Sequence, residues 1–199
     1  MPSRRIVVVG ATGTIGKAIV AALGSRFEVI PVSHRQGAYR VDLADAESIR
    51  RTLTSIGKID AIISAAGVAS FAPFATLTDD DFWLGIRNKL MGQVNVARIG
   101  AEHLNDGGSI TLTSGILSRR PMPGGAAISL VNAALEGFVR GAAIELPRGI
   151  RINVVAPPWV TETLIALKMD PGQGKPAAEV ARAYLQCVDG NVTGQVVDA

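Results

Sequence analysis

Cysteine and aromatic residues are scarce in this sequence: it has one cysteine, and Phe, Trp and Tyr together make up 5% of 199 residues. The lone Cys187 cannot close an internal disulfide, and in its helix-like stretch it reads as a small buried apolar residue. Long hydrophobic runs are missing too. No segment approaches the ~20 apolar residues of a membrane span, and Ile6–Val9 is far too short for a signal-peptide core. These absences lead to the expectation of a cytoplasmic protein without membrane contact. Charge of one sign is not concentrated either, since the net charge is +3 and the basic residues are scattered. Without a basic stripe carrying interleaved aromatics, nucleic acid is not an expected partner. No metal site is expected.

What is abundant is small and apolar. Apolar residues form 48% of the chain and glycine occupies 22 positions, which suits helices packed tightly on a sheet of Val, Ile, Ala and Gly. The length suffices for one well-buried domain and is short for two, so a single domain over residues 1–199 is expected. Strand and helix patterns alternate from end to end. The β-branched run Ile6–Val9 marks a strand buried on both faces, followed by a glycine turn and a helix to about Gly24. Glu28–Val32 and Tyr39–Val41 read as the second and third strands, and Asp45 caps a helix over Ala46–Ser55 that Gly57 ends. Asp60–Ser64 is a fourth strand, and Asp79–Leu104 a long helical stretch broken near Gly85. Strands over Ser109–Thr113, Arg151–Val155 and Gly194–Val197 alternate with helices over Ala126–Leu146 and Pro176–Val188. Phe71–Thr78 and Asp170–Lys175 read as loops around a site. The alternation predicts an α/β, doubly wound, mainly parallel seven-stranded sheet with helices on both faces. Ser33–Arg40 is shorter than a helical crossover requires, so the helix between strands two and three is expected to be missing.

The turn after the first strand reads Gly10-Ala11-Thr12-Gly13-Thr14-Ile15-Gly16. Glycine admits positive φ and close backbone approach, and the helix N-terminus that follows attracts a pyrophosphate. Gly10, Thr12, Gly13, Thr14, Ile15 and Gly16 are therefore candidate dinucleotide-binding residues of a Rossmann-type domain. A plain strand-to-helix turn is the alternative. The second strand ends in Ser33-His34-Arg35. A ribose 2′-hydroxyl asks for Asp or Glu at that place, whereas a 2′-phosphate asks for cations and hydroxyls. These three residues favour NADP(H) over NAD(H), against the alternative that Arg35 is solvated surface.

Six stations now resemble the short-chain dehydrogenase/reductase family in order: the glycine turn; Val41-Asp42-Leu43; Ser64-Ala65-Ala66-Gly67; Leu112-Thr113-Ser114-Gly115; Arg151-Ile152-Asn153-Val154-Val155-Ala156-Pro157; and Val192-Thr193-Gly194-Gln195. The resemblance implies that Asp42 and Leu43 flank the adenine, with the Asp42 carboxylate accepting from its amino group. It implies that Ala65, Ala66 and Gly67 line the adenine ribose, and that Pro157 and Val160 border the nicotinamide. Pro158 stands where the family has glycine. The family also polarises a substrate carbonyl with a serine and a tyrosine, the latter made acidic by a lysine one helical turn on. Ser114 matches the serine. Aligning the family's Lys-Ala-Ala-Leu on Asn132–Leu135 puts Asn132 at the lysine and Ile128 at the tyrosine, while Tyr39 and Tyr184 lie in other elements. Lys89, three residues before Gly92, falls where the family has an asparagine, with Asn88 one residue earlier.

Two functions follow from the resemblance. The first is an oxidoreductase moving a hydride between NADPH and a small carbonyl or alcohol substrate, with Ser114 and Lys89 stabilising the developing alkoxide. The second is an NADP(H)-binding sensor or scaffold that kept the cofactor site and lost the chemistry. Alternatives stay open for both residues: Ser114 as a strand-ending serine, Lys89 as a solvated helix lysine. Gly137 and Gly141, four apart on the helix after Ser114, match the helix through which the family pairs, so a homodimer or homotetramer is expected. Packing of these glycines on the chain's own sheet is the alternative.

Overall fold

The computed structural model describes residues 3–199, and Met1 and Pro2 lie outside the described residues. Seven strands form one sheet: β1 (Arg5–Val9), β2 (Glu28–Ser33), β3 (Tyr39–Arg40), β4 (Ile59–Ser64), β5 (Leu104–Thr113), β6 (Arg151–Ala156) and β7 (Val196–Asp198). Their order is β3-β2-β1-β4-β5-β6-β7, and every neighbouring pair is parallel. Parallel pairing demands crossovers, which α1 (Thr14–Leu23), α2 (Ala46–Ile56), α4 (Met91–His103), α5 (Ala126–Ala142) and α7 (Ala177–Asp189) provide. Alternation along β1 divides the core: Val7 and Val9 pack with α2, α4 and α5, while Ile6 and Val8 pack with α1 and α7. A strand covered on both faces must be apolar at every position, which is the physical reason for its unbroken β-branched run. The fold is the expected doubly wound sheet with helices on both faces.

Boundaries differ where long-range contacts intervene. Residues 34–38 join β2 to β3 as a bend, and β3 keeps only two residues at the sheet edge. β5 begins five residues earlier than expected because Leu104 already pairs with Ile59; the register shifts before Ser109 resumes against Ala61. α5 ends at Ala142 rather than Leu146, and looser turns carry the chain to Pro147, which cannot continue a helix. β7 starts two residues late, after Gly194 turns the backbone at φ +73°. A short helix, α6 (Thr161–Ala166), was not expected at all; it forms in the segment after β6. A Cβ added at Gly137 or Gly141 would meet nothing within 4 Å, so neither glycine is there for close packing on the chain's own sheet.

The break near Gly85 has a specific form. α3 (Asp79–Leu84), capped by Thr78 and Asp81 in a reciprocal box, runs into a π-helical segment over Gly85–Leu90 and then into α4. A π turn accommodates one extra residue, so Asn88 and Lys89 are both brought to the site side of the helix. Asn88 accepts from Val68 N at 2.8 Å, and Lys89 reaches further in.

Candidate active site at the carboxyl edge of the sheet

The order of strands reverses between β1 and β4, and a crevice opens at their carboxyl ends, where open α/β sheets hold ligands. Two adjoining cavities fill it, both lined by Ala65, Ala66 and Gly67. The larger, about 610 Å³, runs over the glycine turn to the end of β2; the other, about 320 Å³, lies over the ends of β5 and β6.

The glycine turn is shaped by close approach. Gly10 has φ +85°, its N–H and that of Ala11 both donate to Val32 O, and a Cβ there would come within 2.7 Å of Ala65 O. A Cβ on Gly16 would collide with Gly10 O, so the first helical turn lies directly on the loop. No side chain caps α1 at Gly13. Its first N–H groups are thus available to an anion, reinforced by the helix dipole. Gly10, Thr12 and Gly13 line the larger cavity, whereas Thr14 and Gly16 do not. Ile15 lines the other.

At the end of β2, His34, Arg35 and Gln36 line the larger cavity, together with Val41 and Leu43. None of its described lining residues is acidic. Ser33 differs from its expected role. It is buried, and its hydroxyl donates to Gln36 O and accepts from Gln36 N at 3.1 Å, building the turn that presents His34 and Arg35. Asp42 also stands apart: its carboxylate accepts from Ala44 N at 2.9 Å on an exposed turn, and its neighbours Val41 and Leu43 form the cavity wall.

The smaller cavity gathers Lys89, Ser114, Ile128, Asn132, Pro157 and Val160. Ile128 and Asn132 lie one turn apart on α5 and both face it. Lys89 crosses from the π segment to donate to Asn132 Oδ1 at 2.7 Å and to the Ser114 carbonyl at 3.2 Å. Burial pushes its pKa down to about 8. Gly67 (φ +136°) lies against it so closely that a Cβ there would sit 2.7–2.9 Å from Lys89 Cα, Cβ and Cγ. The sequence offered Lys89 only through its distance from Gly92; its partner on α5 was invisible, because 43 residues separate the two.

Ser114 lines the smaller cavity beside Lys89, with its hydroxyl engaged by the protein. Its hydroxyl lies 3.2 Å from Glu136 Oε1 and 3.5 Å from Val155 O, and Ser118 Oγ donates to the same carboxylate oxygen at 2.6 Å. The single Ser114 hydroxyl proton thus has a buried carboxylate oxygen as its acceptor in this structure. Glu136 was not singled out in the sequence, although it stands one turn after Asn132 on an otherwise apolar face of α5. Ile116 and Leu117 were also missed as lining residues. Neither tyrosine lines either cavity. Tyr184 is fully buried, with its hydroxyl 2.8 Å from Thr113 Oγ1 and its pKa pushed well up by burial. Cys187 is likewise buried, its thiol raised to about 11.

A parallel sheet with this strand order, a glycine turn at the switch point and a second cavity over β5 and β6 defines a Rossmann-type dinucleotide-binding scaffold. Residues 10–191 match the family described as enoyl-(acyl carrier protein) reductase, and the chain belongs to the short-chain dehydrogenase/reductase family. Human L-xylulose reductase is 30% identical over 196 residues, covering 88% of this chain and 80% of that one. The crystal structure of the protein lin1944 from Listeria innocua is 40% identical, with a TM-score of 0.95 over 99% of this chain and 100% of that one. A small-chain dehydrogenase crystallised in complex with NADPH is 29% identical, with a TM-score of 0.88 over 99% and 96% of the two chains.

Proposed function

We propose that this chain is an NADP(H)-dependent oxidoreductase that reduces a carbonyl group, with Lys89 as the residue that meets the reacting oxygen. The observation that carries this reading is the position of Lys89: a partly buried ammonium held by Asn132 and Ser114 O in a cavity that adjoins the one over the glycine turn. The glycine cradle, the uncapped start of α1 and the His34–Arg35 pair fit a dinucleotide carrying a 2′-phosphate. The relative crystallised with NADPH supports the same choice. When bound, NADPH supplies the hydride.

The chain's own residues do the rest. The third N–H of Lys89 is directed to the carbonyl oxygen. As the carbonyl carbon gains the hydride, the oxygen takes a proton from the ammonium, giving an alcohol and NADP⁺. Asn132 and the Ser114 carbonyl fix the Lys89 side chain, so Ser114 acts through its backbone and Glu136 holds its hydroxyl aside. Lys89 regains its proton from water. A pKa near 8 keeps most of the amine charged at neutral pH while making its proton easier to give up than that of an exposed lysine.

The cofactor assignment is tested by Arg35→Ala. Charge-assisted hydrogen bonds contribute about 1.5–3 kcal/mol, so the preference for NADPH over NADH should fall about 10- to 100-fold. Equal affinities in the parent protein would refute it. A second reading, a sensor or scaffold that binds NADP(H) without turnover, is favoured by Ile128, which has no proton to give, and by the engaged Ser114 hydroxyl. Steady-state NADPH oxidation against a carbonyl panel separates the two.

A further inference from the structure

Nearly every polar side chain lining the smaller cavity is held by the protein itself. The Thr113 hydroxyl donates to Ser64 O at 2.6 Å and lies against Tyr184 Oη. The Ser114 hydroxyl is on Glu136, and Asn132 uses Oδ1 on Lys89 and Nδ2 on the Gly115 carbonyl at 3.4 Å. The Trp159 indole N–H donates to Met122 Sδ at 3.3 Å. Lys89 has three N–H groups, two engaged, so one is left; Thr163 adds a hydroxyl from α6. The other walls are apolar: Ile15, Ile116, Leu117, Ile128 and the face of Trp159. Phe71 braces that indole edge-on, with ring centroids 5.9 Å apart at 89°.

We propose that this cavity takes a flat, largely apolar ketone, aromatic or fused-ring, with one oxygen on Lys89, and that it discriminates against polyhydroxylated carbonyl compounds. The proposal rests on reading the site as a carbonyl-reducing one. A single free ammonium N–H matches a single acceptor. A ring fits between Ile128, Leu117 and the braced Trp159, where stacked and edge contacts favour it. A sugar brings several hydroxyls into walls whose free side-chain partners are few: the third Lys89 N–H, one Asn132 Nδ2 N–H and the Thr163 hydroxyl. Each one buried without a partner loses its bond to water, a cost of roughly tenfold in affinity.

The test uses 1-tetralone and xylulose as probes, with turnover and binding read separately. Trp83 and Trp159 are the two tryptophans, so Trp83→Phe leaves Trp159 as the fluorescent reporter. With NADPH the expected result is a kcat/KM for 1-tetralone at least about a hundredfold above that for xylulose, two unpartnered hydroxyls' worth. With NADP⁺ present, 1-tetralone quenches Trp159 and xylulose does not. Trp159→Ala raises the KM for 1-tetralone about tenfold while NADPH affinity holds. Comparable turnover of both probes, or preference for xylulose, overturns the substrate class and leaves the oxidoreductase reading standing. Quenching by 1-tetralone without reduction of either probe upholds the ligand class and removes the oxidoreductase reading. NADPH binding with neither quenching nor turnover overturns the proposal.

Discussion

Lys89 makes a prediction about stability that is independent of any substrate. In the unfolded chain it titrates at 10.5; in the folded protein burial brings that down to about 8. Below pH 8 both states hold the proton and the stability does not change through this group. Between pH 8 and 10.5 the folded protein releases its proton while the unfolded chain keeps it, so the unfolded state binds more protons and stability rises with pH. The two values are about 3 kcal/mol apart in free energy. The hydrogen bonds to Asn132 Oδ1 and Ser114 O favour the charged form, so about 3 kcal/mol is the most this group contributes. The perturbation is Lys89→Met, which carries no charge in either state. Urea unfolding of both proteins at a series of pH values from 7 to 11 isolates the lysine, because other titrating groups cancel in the difference. The parent should gain on the variant from about pH 8 upward, by no more than about 1.4 kcal/mol per pH unit for one proton, and level off near pH 10.5. Parallel profiles would show that the ammonium is hydrated in solution. A difference that shrinks with rising pH would mean that the two hydrogen bonds outweigh burial. Either result removes the basis for assigning Lys89 as the proton donor.

Gly67→Ala forces a Cβ against Lys89 at φ +136°, and a loss of about 1–3 kcal/mol in urea unfolding is expected, with weaker NADPH binding; unchanged stability would contradict the close contact. Restoring the family's dyad as Ile128→Tyr with Asn132→Lys should fail by itself, because the new ammonium meets Lys89 where Asn132 Oδ1 now accepts at 2.7 Å. Adding Lys89→Asn removes that repulsion, and the triple variant should gain about 10²-fold or more in NADPH-dependent ketone reduction over the double; equal rates would disprove the exchange of roles between positions 89 and 132. Because Gly137 and Gly141 present open space to any neighbour, light scattering should give a dimer or tetramer mass and Gly137→Leu should shift it towards monomer. A monomeric parent at micromolar concentration counts against that.

Much of the fold was legible in the sequence because its signals are local. A strand covered on both faces must be apolar throughout, so Ile6–Val9 announced itself. A turn that brings backbone onto backbone must be glycine, so Gly10 and Gly16 marked the turn that follows β1. The glycine spacing, the basic end of β2 and the absence of a tyrosine before Asn132 are all short-range facts. What a residue pattern did not record is which partner each polar group takes. Ser33 and Ser114 stand where expected in the chain, yet their hydroxyls go to Gln36 and Glu136, because a buried hydroxyl takes whichever partner the packing brings within reach. The pairing of Lys89 with Asn132, the braced Trp159 and the committed polar lining of the smaller cavity exist only once α4, α5 and the segment after β6 meet at the carboxyl edge of the sheet. The sequence by itself determined the scaffold and the glycine turn at its switch point. Tertiary structure decided which side chains are free to do chemistry, since a donor's freedom depends on partners that no local pattern records.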